Sequence, residues 1–204
     1  MTLPKISIIN YGVGNLRSVR RGLERTGAEI LVTHNPKEIR ESDAIVLPGV
    51  GAFSTAIRDL ASLSDLLKQH VEEGKPILGI CLGLQLLFTQ SFEGGLLEGL
   101  DLIKGDIVKL PDNVKIPQIG WNTIDIVKHH SLLEGVKDNS YFYFVHSYIP
   151  KPQDTTVIVT TTEYGTKFPS IVAKQNIFAT QFHPEKSSNN GLIILNNFVK
   201  NVRR

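Results

Sequence analysis

A single cysteine, Cys81, occurs in 204 residues, which excludes an internal disulfide and any zinc site of the C-x-x-C kind. If that residue does chemistry it acts alone or with histidine, in a reducing compartment. An excess of one charge is also missing: the formal charge is +2, with lysines and arginines dispersed among acids. That leaves no concentrated basic face for a phosphate backbone, and no nucleic-acid partner is expected. No apolar run reaches the roughly 18 residues of a membrane span. The opening MTLPKISIIN lacks the basic-then-apolar layout of a signal peptide, so no membrane association is expected and a cytoplasmic location is the default. Low-complexity stretches and internal repeats are lacking too, which sets aside disorder and solenoids.

What is present is an alternation. Ile6–Asn10, Ile30–Thr33, Ala44–Leu47 and Ile77–Ile80 read as strands; Leu16–Arg25, a region from Ala52 to about Val71, and Leu82–Phe88 read as helices. Strands separated by helices imply right-handed parallel crossovers and a sheet covered on both faces. In such sheets chemistry gathers at the carboxyl edge of the strands. From Leu102 onward the pattern is mostly strand, near Ile103–Lys109, Thr123–Val127, Tyr141–Tyr148, Val157–Thr161, Ile171–Ala173 and Ile177–Gln181, closed by a helix from about Asn190 to Val199. The expected fold is therefore α/β, with a mostly parallel core and an antiparallel β elaboration in the second half. No Pro/Gly/Ser linker divides the halves, so residues 1–204 are expected to form one domain.

The cysteine lies in PILGICLGLQ, where an apolar strand meets a helical pattern. A nucleophile on a sharp strand-to-helix turn needs small neighbours, and Gly79-Ile80-Cys81-Leu82-Gly83 is the cysteine form of the G-x-S-x-G elbow. The turn aims the sulfur outward and sets it at a helix start, where unpaired N–H groups favour a thiolate. The Leu82 amide would face a developing oxyanion. By itself the stretch fits equally a small buried hydrophobe at a strand end, so a base must be found elsewhere.

Six histidines offer one. His34, His70, His129 and His130 sit in polar surroundings and read as surface residues. Gln181-Phe182-His183-Pro184-Glu185 differs: it follows a strand, and proline stiffens the short link between imidazole and carboxylate. His183 would exchange a proton with Cys81 while Glu185 orients the ring; a solvated loop histidine is the alternative. The glycine-rich stretches Gly12-Val13-Gly14-Asn15 and Pro48-Gly49-Val50-Gly51 also follow strands. Neither is a dinucleotide fingerprint, since Arg17 and Ser54 replace the third glycine. The second could instead supply another oxyanion amide, Gly49 and Gly51 freeing the intervening peptide.

The elbow, the Pro-Gly-Val-Gly turn and the His-Pro-Glu segment, in that order, resemble the class I, or triad, glutamine amidotransferases. NYGVGNLRSV, PGVGAF, GICLGLQLLF, IGWN, YFVHSY and FHPEKSS are similar to the glutaminase-subunit family of imidazole glycerol phosphate synthase, of histidine biosynthesis. The resemblance implies a flavodoxin-like doubly wound fold and hydrolysis of glutamine to glutamate and ammonia, without cofactor or metal. It implies Cys81 as nucleophile, His183 as acid/base and Glu185 as its orienter, with oxyanion donors at Leu82 and the Gly49-Val50 peptide. Substrate contacts fall on Gly51, Gln85, Glu93, His146, Ser147 and Tyr148. The implied partner is a (β/α)8-barrel cyclase subunit, forming a heterodimer that makes imidazole glycerol phosphate and AICAR. Asn15, Trp121, Asn122, Tyr143 and Lys186 match positions at that contact; for Trp121, a core residue under a strand is the competing expectation. Asn10, where the family commonly has aspartate, and DLIKGDIVKLP depart from the pattern. A triad glutaminase serving another synthase, such as that of pyridoxal phosphate synthesis, and a catalytically silent interaction subunit are the other readings.

Overall fold

The computed structural model describes residues 3–12 and 14–202, so Val13 of the first glycine-rich stretch lies outside the described residues. In chain order the elements begin with β1 (Lys5–Ile9), α1 (Leu16–Glu24), β2 (Glu29–Thr33), α2 (Pro36–Arg40), β3 (Ala44–Leu47), α3 (Phe53–Leu60) and α4 (Ser64–Glu72). Next come β4 (Ile77–Ile80), α5 (Leu82–Leu86), β5 (Phe88–Ser91), β6 (Leu97–Glu98), β7 (Ile103–Lys109), β8 (Gln118–Thr123) and β9 (Asp125–Ile126). The last are β10 (Tyr141–His146), β11 (Tyr148–Pro152), β12 (Ile158–Glu163), β13 (Lys167–Lys174), β14 (Ile177–Thr180) and α6 (Ser188–Val202).

Period-two alternation explains the central sheet. In β3, Ala44 and Val46 join one apolar cluster and Ile45 and Leu47 the other, because successive side chains leave a strand on opposite faces. A strand apolar on both faces must be covered on both. Helices α1 and α6 bring Val19, Leu23, Ile194 and Phe198 to one side; α3, α4 and α5 bring Phe53, Leu67 and Leu84 to the other. Each such side chain contributes roughly 1.5–3 kcal/mol on burial.

The large sheet runs β2-β1-β3-β4-β14-β13-β12-β9. Its first five strands are parallel, in the order of a flavodoxin-like doubly wound sheet, and pairing is antiparallel from β14 outward. The expected α/β architecture with its antiparallel second half is the one observed. Strands β1, β3, β4 and β14 therefore bring their carboxyl ends, and the segments starting at Asn10, Pro48, Cys81 and Gln181, to one edge. Among the described residues no helix is long and apolar enough to cross a membrane.

The helix expected over Leu82–Phe88 ends at Leu86, and Phe88 opens a strand instead. The cause is the return of residues 99–103: Leu100 N–H donates to Leu86 O at 2.8 Å and Leu102 N–H to Leu87 O at 2.9 Å. A Cβ on Gly99 would lie 2.2 Å from Phe88 O, so only glycine permits that approach. The strand expected at Thr123–Val127 is the short β9, and β8 before it, which shares only Thr123 with that stretch, is an element the pattern did not give. Strand β8 escapes pattern reading because its apolar side chains face out: Ile119 and Trp121 are exposed while Gln118 is buried.

Candidate active site

Between the end of β4 and the start of α5, Cys81 alone makes the turn, with φ 55° and ψ −107°. A side chain at such angles is strained, and the flanking glycines show what enforces it. A Cβ on Gly79 would lie 2.8 Å from Gly83 O, and one on Gly83 would lie 1.7 Å from Leu47 O. Strand, elbow and helix thus approach each other, and β3, more closely than any side chain allows. The Cys81 N–H donates to Thr180 O at 2.8 Å, extending the β4–β14 pairing one step past Ile80 and Thr180.

That adjacency brings in the base. Strand β14 ends at Thr180; beyond it, Pro184 opens a 3-10 turn, Pro184–Lys186, that carries Glu185 back to the imidazole. His183 Nδ1–H donates to Glu185 Oε1 at 2.8 Å, with both side chains buried. The same oxygen accepts from Asn15 Nδ2 at 2.5 Å. Main-chain bonds fix the histidine: its N–H donates to Tyr143 O at 2.9 Å, and its carbonyl accepts from Ser187 Oγ at 2.6 Å. Burial disfavours the imidazolium, but the interactions with Cys81 and Glu185 together outweigh it and raise the His183 pKa to about 10. Among the described residues Nε2 has no aligned hydrogen-bond partner; catalytic hydrogen bonds in unliganded active sites are often long or poorly aligned and tighten with substrate. The sulfur itself lies 3.5 Å from Val145 O and 3.8 Å from Gln181 Nε2.

Beside the sulfur opens a cavity of about 220 Å³. Gly51, Gln85, Glu93, His146, Ser147 and Tyr148 all line it, as do Val50 and Leu82. Gly49 sits behind the wall, where a Cβ would fall 2.7 Å from both Leu82 Cβ and Tyr11 Oη. Gln85 Nε2 donates to Tyr148 O at 3.1 Å, which holds the strand crossing over the cavity. Burial raises the Glu93 carboxyl pKa, partly offset by a hydrogen bond from the Phe53 N–H at the start of α3. Burial pulls His146 down to about 4, so its ring is neutral and donates from Nδ1 to Tyr148 O at 3.0 Å. His146 is thereby a brace, not a second base.

The residues expected at a partner contact separate into two groups. Trp121 is 51% exposed, which overturns the core alternative. Its ring meets Tyr143 edge-on at 5.9 Å, and Lys186 Nζ lies 5.9 Å from the same Tyr143 ring. Trp121 and Tyr143 are direct cross-strand partners of β8 and β10, and exposed Ile119 and Tyr141 extend this outer apolar face. Asn122 instead donates to Glu163 O at 2.9 Å. Asn15 is half-buried and turns its amide inward to Glu185.

Other expectations about histidine also change. His70 is a core residue, 2% exposed, on the buried face of α4 with Leu66 and Leu67. His130 is half-buried and accepts from Leu132 N–H at 3.1 Å. Pattern reading missed Gln181 and Val145 beside the sulfur; for Gln181 the available signal was a polar residue directly after an apolar strand at the active edge.

The family model for class-I glutamine amidotransferases matches residues 7–202. The chain is 48% identical over 200 residues to the imidazole glycerol phosphate synthase subunit HisH of Caldanaerobacter subterraneus subsp. tengcongensis, covering 97% of this chain and 98% of that one. To the protein of the same name from Pyrococcus furiosus it is 50% identical over 197 residues, with 96% and 98% covered. The solved structure of PurLQS from Thermotoga maritima aligns over 98% of this chain and 99% of that one with a TM-score of 0.76 at 18% identity, a likeness of fold alone.

Proposed function

Because the chain belongs to the class-I glutamine amidotransferase family, we propose that it is the glutaminase subunit of an imidazole glycerol phosphate synthase, hydrolysing glutamine in histidine biosynthesis. The observation that carries the chemistry is the meeting of Cys81 with the His183–Glu185 pair at the carboxyl ends of two adjacent parallel strands. Glutamine enters the cavity with its side-chain amide against Cys81, its α-ammonium toward Glu93 and its α-carboxylate toward the backbone at residues 146–148.

The sulfur anion adds to the amide carbon, and the carbonyl π electrons move to oxygen. Leu82 N–H and the Gly49-Val50 peptide stabilise that oxyanion. His183, which carries the proton, passes it from Nε2 to the departing nitrogen, the C–N bond breaks, and ammonia and a glutamyl thioester form. His183 then takes a proton from water as the water attacks the thioester, and glutamate leaves with the sulfur anion restored. Glu185 keeps Nδ1 protonated throughout and balances the imidazolium.

The ammonia goes to a cyclase subunit of (β/α)8-barrel form, which makes imidazole glycerol phosphate and AICAR. The exposed Trp121–Tyr143–Lys186 cluster supports a partner on this side, since tryptophan and tyrosine are the residues that anchor interfaces. With that subunit present, the protein is expected to release glutamate from glutamine. Cys81→Ala is expected to abolish glutamine-dependent synthesis and spare synthesis from ammonium salts. A native complex that releases no glutamate would overturn the reading.

A further inference from the structure

We propose that Tyr11 is a positioning residue for the oxyanion turn: its hydroxyl holds the Pro48 carbonyl, confining movement of the turn to the Gly49-Val50 peptide. This rests on the glutaminase reading above and adds to it a residue that does not line the cavity. Tyr11 follows β1 and is 5% exposed among apolar neighbours of α3 and α5. A buried hydroxyl needs a partner, and this one donates to Pro48 O. Proline has no N–H, so that carbonyl is the only main-chain polar group through which Pro48 can be tethered.

The surrounding contacts leave little else free. One residue upstream, Leu47 O presses on Gly83. One residue downstream, Gly49 lies between Tyr11 Oη and the elbow, where a Cβ would come within 2.7 Å of Tyr11 Oη and 3.1 Å of Gly83 N. Beyond the turn, Gly51 has φ +110°, a conformation that strains any side chain. The chain is thus anchored up to Gly49 and pliable from there to Gly51. Burial, and then the neighbouring Cys81, push the phenol pKa far above its ordinary range, so the hydroxyl remains a donor at every working pH.

An oxyanion donor acts only when held within tenths of an ångström of the developing charge. Removing the tether should cost turnover without disturbing the cavity walls that bind glutamine. The test is Tyr11→Phe in the complex with the cyclase subunit. The expected result is a fall in kcat of about tenfold, below the 10²–10³ of deleting a donor outright, with KM changed by less than about twofold. Glutamate γ-semialdehyde, whose hemithioacetal with Cys81 puts an oxygen in the same hole, should bind more weakly by the same factor. Alkylation of Cys81 by iodoacetamide needs no oxyanion donor and should keep its native rate. Native kcat in Tyr11→Phe overturns the proposal, as does a parallel loss of kcat and alkylation, which would locate the defect in the nucleophile. A native complex releasing no glutamate overturns the glutaminase reading itself, and the two failures are therefore distinct.

Discussion

Asn15 Nδ2 lies 2.5 Å from Glu185 Oε1 although 170 positions separate the two residues. Asn15 stands before α1 at φ 78° and forms no side-chain cap for that helix. Asparagine tolerates the left-handed region better than most residues, and its amide goes to the carboxylate instead. Among the described residues Glu185 Oε2 has no hydrogen-bond partner, and Asn15 and His183 supply the donors that hold this buried carboxyl through Oε1.

Removing one of them should loosen the orienter of the base. Asn15→Gly keeps the backbone conformation and deletes only the amide. A hydrogen bond to a charged group contributes about 1.5–3 kcal/mol, so kcat for glutamate release is expected to fall on the order of tenfold. KM should hold, because Asn15 does not line the cavity. Steady-state kinetics in the complex decide it; an unchanged kcat would make Asn15 a turn former only.

The two glycines beside the nucleophile and a distant surface glycine separate close contact from backbone strain. Gly27 has φ +76° with no atom of the described residues within 4 Å of an added Cβ, so Gly27→Ala should cost only the left-handed penalty of about 1–2 kcal/mol, or roughly 2–8 °C in Tm for a chain of this size. At Gly83 the obstacle is the Leu47 carbonyl at 1.7 Å, main chain that cannot move without parting β3 from the elbow. Gly83→Ala should lower Tm by clearly more, or prevent folding. Thermal melts showing equal losses would remove the close-approach explanation of the elbow.

Local patterns made β3, β4 and β7 legible to the residue, since each is an apolar or alternating run closed by turn formers. The elbow was legible for the same reason: five consecutive residues contain the whole device. What pattern cannot convey is which strands become neighbours. That β14 inserts beside β4 and β3 beside β1 is a property of the sheet order; the first brings Gln181 to the sulfur, the second brings Tyr11 to Pro48, and Asn15 reaches Glu185 from the segment after β1. His70 was readable in principle, for Leu66, Leu67 and His70 share one helical face, but a histidine flanked by polar residues outweighed the period.

His70 also gives a pH dependence. Burial lowers its pKa to about 4, despite opposing help from the Pro76 carbonyl, against about 6.5 in an unfolded chain. Between these values the unfolded chain binds the extra proton, so stability is full above about pH 6.5 and falls as pH drops toward 4. The loss is on the order of 3 kcal/mol, and His146, lowered for the same first cause, adds to it. His70→Gln keeps a polar side chain without a titrating ring. Urea unfolding at about pH 7 and about pH 4.5 should show a smaller acid loss in the variant than in the native protein; parallel losses would mean that His70 does not titrate in this window.

The outer face of β8 and β10 makes the last prediction. Trp121 presents half its surface to solvent and touches Tyr143 only edge-on, so little of the fold depends on it. Exposed substitutions generally change stability by no more than about 0.5 kcal/mol, and Trp121→Ala should melt within ~2 °C of the native protein. An interface anchor of this type is instead worth about 2 kcal/mol or more in binding, which weakens association with the cyclase subunit by roughly 30-fold. At saturating cyclase subunit the variant should regain native glutamate release, because Cys81, His183 and the cavity walls are untouched. Titration calorimetry and a melt on the same sample separate the cases: native affinity with a lowered Tm would make Trp121 a structural residue and move the docking face elsewhere.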